Sequence, residues 1–381
     1  MSSSLYIGAT GFTLIAVCYG FARFAFGLFL PQIDAELSLS STLSGLISGG
    51  AFLGYCIAIV LSAYLTERIG ARFVAIGAAL VAAVGMAGIA VAPSAPWLAG
   101  AVMLAGSSTG LASPPMAAAV AVAVRPDRQS ATNTVINAGT GAGVVFSGPV
   151  ALMMGDQWRL AFAGFAAAAV GLALVAAFSI PGGTRRVRKS ADGVPSHSGV
   201  LWRLIFATFL MGFASTAIWS FGGQLITIRL NWSSAGAGFL WIAIGAAGIA
   251  GAGAGTLIAR FGIDRVHRFF LTVMAVGILL VGVDGTTAAM TLCGGIFFGA
   301  AYIMLTGVYL VWGVSALPER PATGLMIGFL TIAIGQTAGA PIFGLLMDGL
   351  TANYAVAIFA CLAITAGFAR VECKRMHTPG V

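Results

Sequence analysis

The segment CYGFARFAFGLFLP, residues 18–31, places one arginine, Arg23, within an otherwise apolar stretch that runs from about Tyr6 to Leu30. An arginine at the centre of a bilayer costs roughly 2.5–3.5 kcal/mol on insertion scales. A guanidinium presents a planar fork of N–H donors that matches a carboxylate in a bidentate arrangement. We interpret Arg23 as a binding site for an anionic group. The alternative is a structural arginine that bonds backbone carbonyls freed by helix kinks.

Polar side chains near the middle of other apolar runs are further candidates for the same site. In lipid, such groups bind a ligand or hold neighbouring helices together, and both interpretations stay open. Tyr19 lies one helical turn before Arg23, and the small residues Gly20 and Gly27 on that face would leave room beside the guanidinium. The candidate substrate-binding residues are Arg23, Tyr19, Ser108, Asn137, Trp219, Tyr302 and Gln336.

The sequence lacks the patterns that are typical of catalytic and metal sites. All eleven acidic residues fall in loops or at predicted helix ends, and no histidine is expected inside a helix. No nucleophile–base spacing, nucleotide-binding loop or Cys-x-x-Cys pair is present. We therefore predict that the chain is not an enzyme, does not use ATP, and has no catalytic residues, metal or cofactor.

The elements that must position these side chains are membrane-spanning helices. Of 381 residues, 59% are hydrophobic and 8% are charged, a balance that soluble proteins of this size do not show. A helix that crosses a bilayer needs roughly 20 apolar residues, and lipid cannot satisfy open backbone groups. The sequence predicts an all-α polytopic protein with twelve spans, at about 7–31, 43–65, 71–92, 97–122, 131–154, 159–180, 202–226, 235–258, 268–284, 287–313, 324–346 and 352–370.

The basic residues predict the orientation of these helices. With a cytoplasmic N-terminus, sixteen of the nineteen lysines and arginines fall in inner loops or the C-terminal tail. This asymmetry follows the positive-inside rule, so both termini are expected in the cytoplasm and the protein in the cell (plasma or inner) membrane. The net charge of +8 is then a feature of topology, and no nucleic-acid partner is expected.

The chain repeats itself at an offset of 192 residues. LTERIG at 65–70 returns as LIARFG at 257–262, and RPDR at 125–128 returns as LPER at 317–320. Six helices per copy place both copies in the same orientation, which is one of the recurrent transporter plans. The predicted units are an N-terminal six-helix bundle at 1–180, a cytoplasmic linker at 181–201, and a C-terminal six-helix bundle with a short cytoplasmic tail at 202–381.

One loop carries a more specific pattern. AYLTERIGAR at 63–72 resembles the signature loop of the major facilitator superfamily, Gly-x-Leu-x-Asp-Arg-x-Gly-x-Arg, and GTLIARFGID at 255–264 is a second copy. The resemblance covers essentially the whole chain and implies a twelve-helix secondary transporter. The chain departs from proton-coupled drug antiporters of this family in helix 4, where Gly106 stands at the position of their arginine.

The same loops supply candidate gating residues. Charges at these positions can pair with helix ends across the cytoplasmic boundary between the two bundles in one access state and separate in the other. The alternative is that they only set topology. The predicted gating residues are Glu67, Arg68, Gly70, Arg72, Arg260 and Gly262.

These observations predict a secondary transporter that moves a small organic, anionic molecule by alternating access. The alternatives are an exporter of neutral or amphipathic drug-like compounds with proton coupling, and a non-transporting membrane sensor. The expected partners are the substrate, a counter-anion or a proton, and membrane lipid, with the protein acting as a monomer.

No carboxylate or histidine is expected at mid-depth, and a monoanion that leaves a cell at −100 mV gains roughly 2.3 kcal/mol. Export or anion exchange is therefore favoured.

Overall fold

The protein is a bundle of helices in the computed structural model, which describes residues 3–180, 199–232, 234–317 and 321–371. These residues contain no strand. Most of the predicted linker and the tail from 372 onward lie outside the described residues. The helices are α1 (Ser3–Ile15, Ala16–Phe24 and Ala25–Leu37), α2 (Ser41–Ile69), α3 (Ala71–Ala90), α4 (Ala95–Ala123), α5 (Pro126–Met154), α6 (Trp158–Ser179), α7 (Gly199–Trp219 and Gly222–Leu230), α8 (Ser234–Gly248, Ile249–Gly253 and Ala254–Phe261), α9 (Ile263–Gly282), α10 (Ala288–Ala316), α11 (Pro321–Gly349) and α12 (Ala352–Ala366).

The predicted all-α membrane fold with twelve helices is confirmed. Within the described residues, nine helices are long and apolar enough to cross a membrane, and two others are shorter apolar helices. α9 begins at Ile263, before its predicted start at 268, because the polar residues Asp264 and Arg265 form its first turn.

The earlier start of α9 corrects one prediction. His267 was expected outside the helices, but it lies in the second turn of α9 and is fully buried. Its Nε2 lies 3.0 Å from the hydroxyl of Tyr309 on α10. Hydropathy misplaced this residue because it shares its turn with two arginines. His267 is therefore buried within the membrane helices, as Arg23 is.

Two equivalent glycine turns display the repeat in three dimensions. Gly70 between α2 and α3 has a φ of 91°, and Gly262 between α8 and α9 has a φ of 81°. Glycine is favoured there because a Cβ atom clashes with the backbone at positive φ. The glycines of the signature loop and of its second copy thus make the same tight turn in both halves of the chain.

Contacts between the two halves follow two pairs of helices, α2 with α11 and α5 with α8. Small residues let these helices approach closely. A Cβ atom added at Gly45 would overlap the carbonyl of Ala340, and one added at Gly148 would lie 2.7 Å from the Gly238 oxygen. Gly45 and Gly148 therefore allow close helix packing between the halves.

We call the side of the bundle that carries the turns at Gly70 and Gly262 the linker face, and the opposite side the distal face. At the distal face, the end of α1 packs against the end of α7. Gly27 touches the backbone carbonyl of Trp219, and Gln224 donates a hydrogen bond of 3.0 Å to Asp34. These contacts close the distal face between the two halves.

A carboxylate at the end of α11 adds a second contact across the distal face. Asp348 accepts hydrogen bonds from the backbone N–H groups of Ser41, at 3.2 Å, and Thr42, at 2.7 Å, in the first turn of α2. A negative charge at a helix N-terminus is stabilised by the unpaired N–H groups and by the helix dipole. Asp348 therefore stabilises the state in which this face is closed.

Replacing Asp348 with Asn should weaken this closure. Loss of the charge removes roughly 0.3–2 kcal/mol of interaction with the first turn of α2. We expect a shift of about 2- to 30-fold toward the state with an open distal face, with the fold intact. Distances between spin labels at the ends of α2 and α11 measure the shift, and an unchanged distance distribution would show that Asp348 does not bias the two states.

Candidate functional site

Arg23 lies in a π-helical segment of α1, Ala16–Phe24, and its residue is only 7% exposed. A π-helix bonds residue i to i+5, so it widens the helix and leaves its side chains in positions that an α-helix does not offer. Such segments are frequent at functional sites. The flanking residues of α1 are α-helical, so the distortion is confined to the turns around the arginine.

The guanidinium of Arg23 is held by a glutamine from the other half of the chain. Its Nη2 donates a hydrogen bond of 2.5 Å to Oε1 of Gln336 on α11. The amide nitrogen of Gln336 donates in turn to the hydroxyls of Ser215 and Tyr302, each at 3.2 Å. One side chain therefore connects α1, α7, α10 and α11 at the centre of the bundle.

Aromatic rings enclose the same guanidinium. The carbon Cζ of Arg23 lies 4.7 Å from the ring centre of Tyr55, 4.8 Å from Phe52, 5.2 Å from Phe24 and 5.6 Å from Tyr19. Ring faces attract a cation, and each such contact contributes about 0.5–2 kcal/mol. The rings thereby offset part of the cost of burying the charge without neutralising it.

Trp219 on α7 extends this aromatic wall. Its ring stacks on Phe24 at 4.0 Å and meets Tyr302 edge to face at 5.2 Å. The indole Nε1 is buried and has no hydrogen-bond partner among the described residues. A buried donor without a partner is costly, so this N–H is free to bind an acceptor from outside the protein.

The charge of Arg23 has no counter-ion in the part of the chain that the structure describes. None of the described aspartates and glutamates pairs with it, and its Nε is buried without a hydrogen-bond partner. A buried charge is normally paired, because burial without a partner is expensive. The neutral Oε1 of Gln336 occupies the position at which an anionic partner would be expected.

The expected space beside Arg23 is not provided by its glycines. A Cβ atom at Gly20 would overlap the backbone of Gly143 on α5, and one at Gly27 would overlap the carbonyl of Trp219. Both glycines therefore allow close helix packing. The expectation failed because it assumed α-helical steps of 100°, whereas a π-helix turns less per residue and rotates the side chains around Arg23.

The structure brings five of the seven candidate substrate-binding residues together, namely Arg23, Tyr19, Trp219, Tyr302 and Gln336. Ser108 is buried elsewhere and donates to the carbonyl of Ala105 in its own helix. Asn137 is exposed on α5. Neither has a described contact with Arg23, Gln336 or Trp219: the Ser108 hydroxyl bonds its own helix and Asn137 is exposed.

Several residues of this group were not predicted. Phe52, Tyr55 and Phe24 resemble ordinary apolar residues of a membrane helix. Ser113 bonds Tyr19 through a hydroxyl–hydroxyl contact of 3.2 Å. Only Ser215 could have been predicted from the sequence, because it is the repeat equivalent of Arg23. In the structure, both residues contact Gln336.

The predicted gating residues lie at the linker face. Glu67 and Arg68 are exposed, with the Arg68 guanidinium over the ring of Tyr64 in the same helix. Arg72 donates to the carbonyl of Ile180 at the end of α6, at 2.5 Å. The described contacts of these residues stay within one half of the chain.

Reversing the charge of Glu67 with Glu67→Arg tests their gating role. In the present state the side chain is exposed, so we expect no loss of fold stability. Closure of the linker face would bring the new arginine toward the other basic residues, and the resting population should shift further toward an open linker face. Cysteine accessibility from each side of the membrane measures this, and an unchanged pattern would mean that these residues only set topology.

The comparisons with known proteins identify the family. The family model of the Major Facilitator Superfamily matches residues 12–340. The chain belongs to the major facilitator superfamily. A search of curated protein sequences gives no match.

Solved structures agree on the fold. A variant of the nucleoside transporter NupG has a TM-score of 0.79 at 12% identity, with 97% of this chain and 98% of that chain covered. A D-xylose-proton symporter has a TM-score of 0.79 at 16% identity, with 96% and 97% covered. The inward open conformation of the xylose transporter XylE from E. coli has a TM-score of 0.75 at 15% identity, with 98% and 96% covered. The family and fold are those of multi-pass membrane transporters.

Proposed function

We propose that this member of the superfamily transports a small organic anion by alternating access, and that Arg23 binds the anionic group. The observation that carries the proposal is the buried guanidinium, which is paired with a neutral glutamine and keeps an unpartnered Nε. A carboxylate would satisfy two donors of the guanidinium at once. The substrate would thus supply the counter-ion that the described residues do not.

Gln336 connects the proposed binding site to the contact between the two halves of the chain. Its bonds to Arg23 and Ser215 join α1 of the first half to α7 and α11 of the second. An anion that binds Arg23 competes with the Gln336 oxygen and weakens this connection. Substrate binding would then lower the cost of moving 1–180 against 202–381, which we propose as the two rocking units.

The contacts at the two faces support an inward-facing state. The distal face is closed by Gly27, Asp34 and Asp348, while the gating residues at the linker face make no described contact between the halves. With both termini in the cytoplasm, the linker face is the cytoplasmic side. We propose a monomer in the cell (inner) membrane.

We propose export or anion exchange as the direction. None of the described carboxylates contacts the Arg23 group, so the proposed site has no acidic side chain to carry a coupling proton. His267 is the one histidine among the described membrane helices, but it lies in the second turn of α9, near the linker face, and contacts Tyr309 rather than the Arg23 group. A monoanion is driven outward by a negative interior without a partner ion.

Proteoliposomes with an imposed membrane potential test the direction. With no pH gradient, efflux of a carboxylate should rise with an inside-negative potential or depend on a counter-anion. Flux that ignores the potential and the counter-anion but follows an imposed pH gradient would overturn this mode of coupling. Flux of neutral compounds only would favour the drug-like exporter.

A further inference from the structure

The central site offers one positive charge. Arg23 is the buried cation of the group, whereas Arg159 and Arg229 lie at the distal ends of the helices, where they bond Glu36 and the carbonyl of Val281. A second negative charge on a ligand at Arg23 would be buried without a partner, at a high desolvation cost. The site therefore matches a ligand with a single negative charge.

Around Arg23, the two buried side-chain atoms without a hydrogen-bond partner are both donors. Nε of Arg23 and Nε1 of Trp219 are buried and unpartnered among the described residues, and both residues are more than nine-tenths buried. The Gln336 oxygen, an acceptor of the same group, is already occupied by Arg23. A sugar or nucleoside carries many hydroxyl donors that need acceptors, whereas a carboxylate accepts only. The unpartnered atoms thus match a carboxylate.

The surfaces beside these donors are aromatic. Trp219 meets Phe298 at 5.3 Å and Tyr302 at 5.2 Å, both edge to face. On the other side of the guanidinium, Tyr19 and Tyr55 meet edge to face at 6.4 Å. Aromatic rings prefer such geometries at centre distances of about 4.5–7 Å, so a flat ring can join this set without a polar partner.

We propose that the substrate class is an aromatic monocarboxylate, with its carboxylate on Nε and Nη2 of Arg23 and its ring against the Trp219–Tyr302 wall. The inference rests on the proposed anion transport and specifies its substrate. The Trp219 Nε1–H is positioned as a second donor for the carboxylate or for a ring substituent. Binding displaces the Gln336 oxygen from Arg23.

A binding panel on the purified full-length protein tests the class. The probes are benzoate, cyclohexanecarboxylate as the non-aromatic monoanion, isophthalate as the dianion, benzamide as the neutral analogue, and D-xylose. Benzoate should bind at least about ten-fold more tightly than each of the others. In Arg23→Gln and Arg23→Lys the affinity for benzoate should fall strongly, while Arg128→Gln, at an exposed arginine of α5, should leave it unchanged.

The outcomes separate the two proposals. Equal, Arg23-dependent affinities for benzoate and cyclohexanecarboxylate would overturn the aromatic class and leave anion transport standing. Tighter binding of isophthalate would overturn the single-charge argument. Benzoate binding that is unchanged in both Arg23 variants, or no binding of any carboxylate, would overturn both proposals. Trp219→Leu should reduce the preference for benzoate over cyclohexanecarboxylate while the discrimination against benzamide remains.

Discussion

Arg23→Ala should abolish transport of the anionic substrate. Removing one partner of a buried, hydrogen-bonded charge pair costs about 2–5 kcal/mol, which lowers affinity by at least roughly 30-fold. The variant should still reach the membrane, because the substitution removes the cost of inserting a charge rather than adding one. Uptake or efflux of a labelled carboxylate in proteoliposomes measures the effect.

The lysine variant separates the charge from its geometry. Arg23→Lys keeps a positive charge but lacks the planar fork that engages two carboxylate oxygens, so it should rescue transport poorly. Arg128→Gln removes an exposed arginine and is the matched control. Wild-type transport by the alanine variant would show that Arg23 has a structural role only.

Gly27→Ala should favour the state in which the distal face is open. An added methyl group at Gly27 would overlap the backbone carbonyl of Trp219, and a backbone atom cannot move aside by changing rotamer. Overpacking of this kind costs typically 1–3 kcal/mol. Because the clash lies between the two halves, separating them at this face relieves it. We expect a population shift of roughly 5- to 150-fold.

Spin labels on either side of the distal face measure this shift. Ala35 on α1 and Ile228 on α7 line a common pocket there, and both are exposed. The distance between labels at Ala35→Cys and Ile228→Cys should lengthen in Gly27→Ala. Gly100→Ala is the matched control, since a Cβ atom at Gly100 meets no atom within 4 Å. Equal distances in Gly27→Ala and in the control would contradict the account of how this face closes.

The helical fold could be predicted from the sequence because the constraint is simple. Lipid requires long apolar helices, and the repeat at 192 residues shows that the second half copies the first. The sequence predicted Gly70 and Gly262 as gating residues, and the structure adds that both make the same tight turn. His267 was misplaced because hydropathy averages over a window and does not detect a single buried residue next to charged ones.

The candidate site could be predicted only in part. Arg23 stood out because a charge in an apolar run is unusual, whereas its partner Gln336 is 313 positions away and no local pattern connects them. The π-helical segment also left no recognisable trace in the sequence. Its altered twist rotates the side chains of α1, which explains why the glycines did not leave the expected space. Phe52 and Tyr55 lie on α2 and were missed because aromatic residues are ordinary in an apolar membrane helix.

The position of a bound anion in a structure of the complex shows whether Arg23 binds the substrate. The anomalous signal of a bromine-labelled carboxylate, chosen as the tightest binder of the panel, locates the ligand in a structure of the complex. We expect a carboxylate within hydrogen-bond distance of the Arg23 guanidinium, with the Gln336 oxygen displaced from its present 2.5 Å contact. A ligand bound elsewhere, with the bond between Arg23 and Gln336 intact, would contradict it.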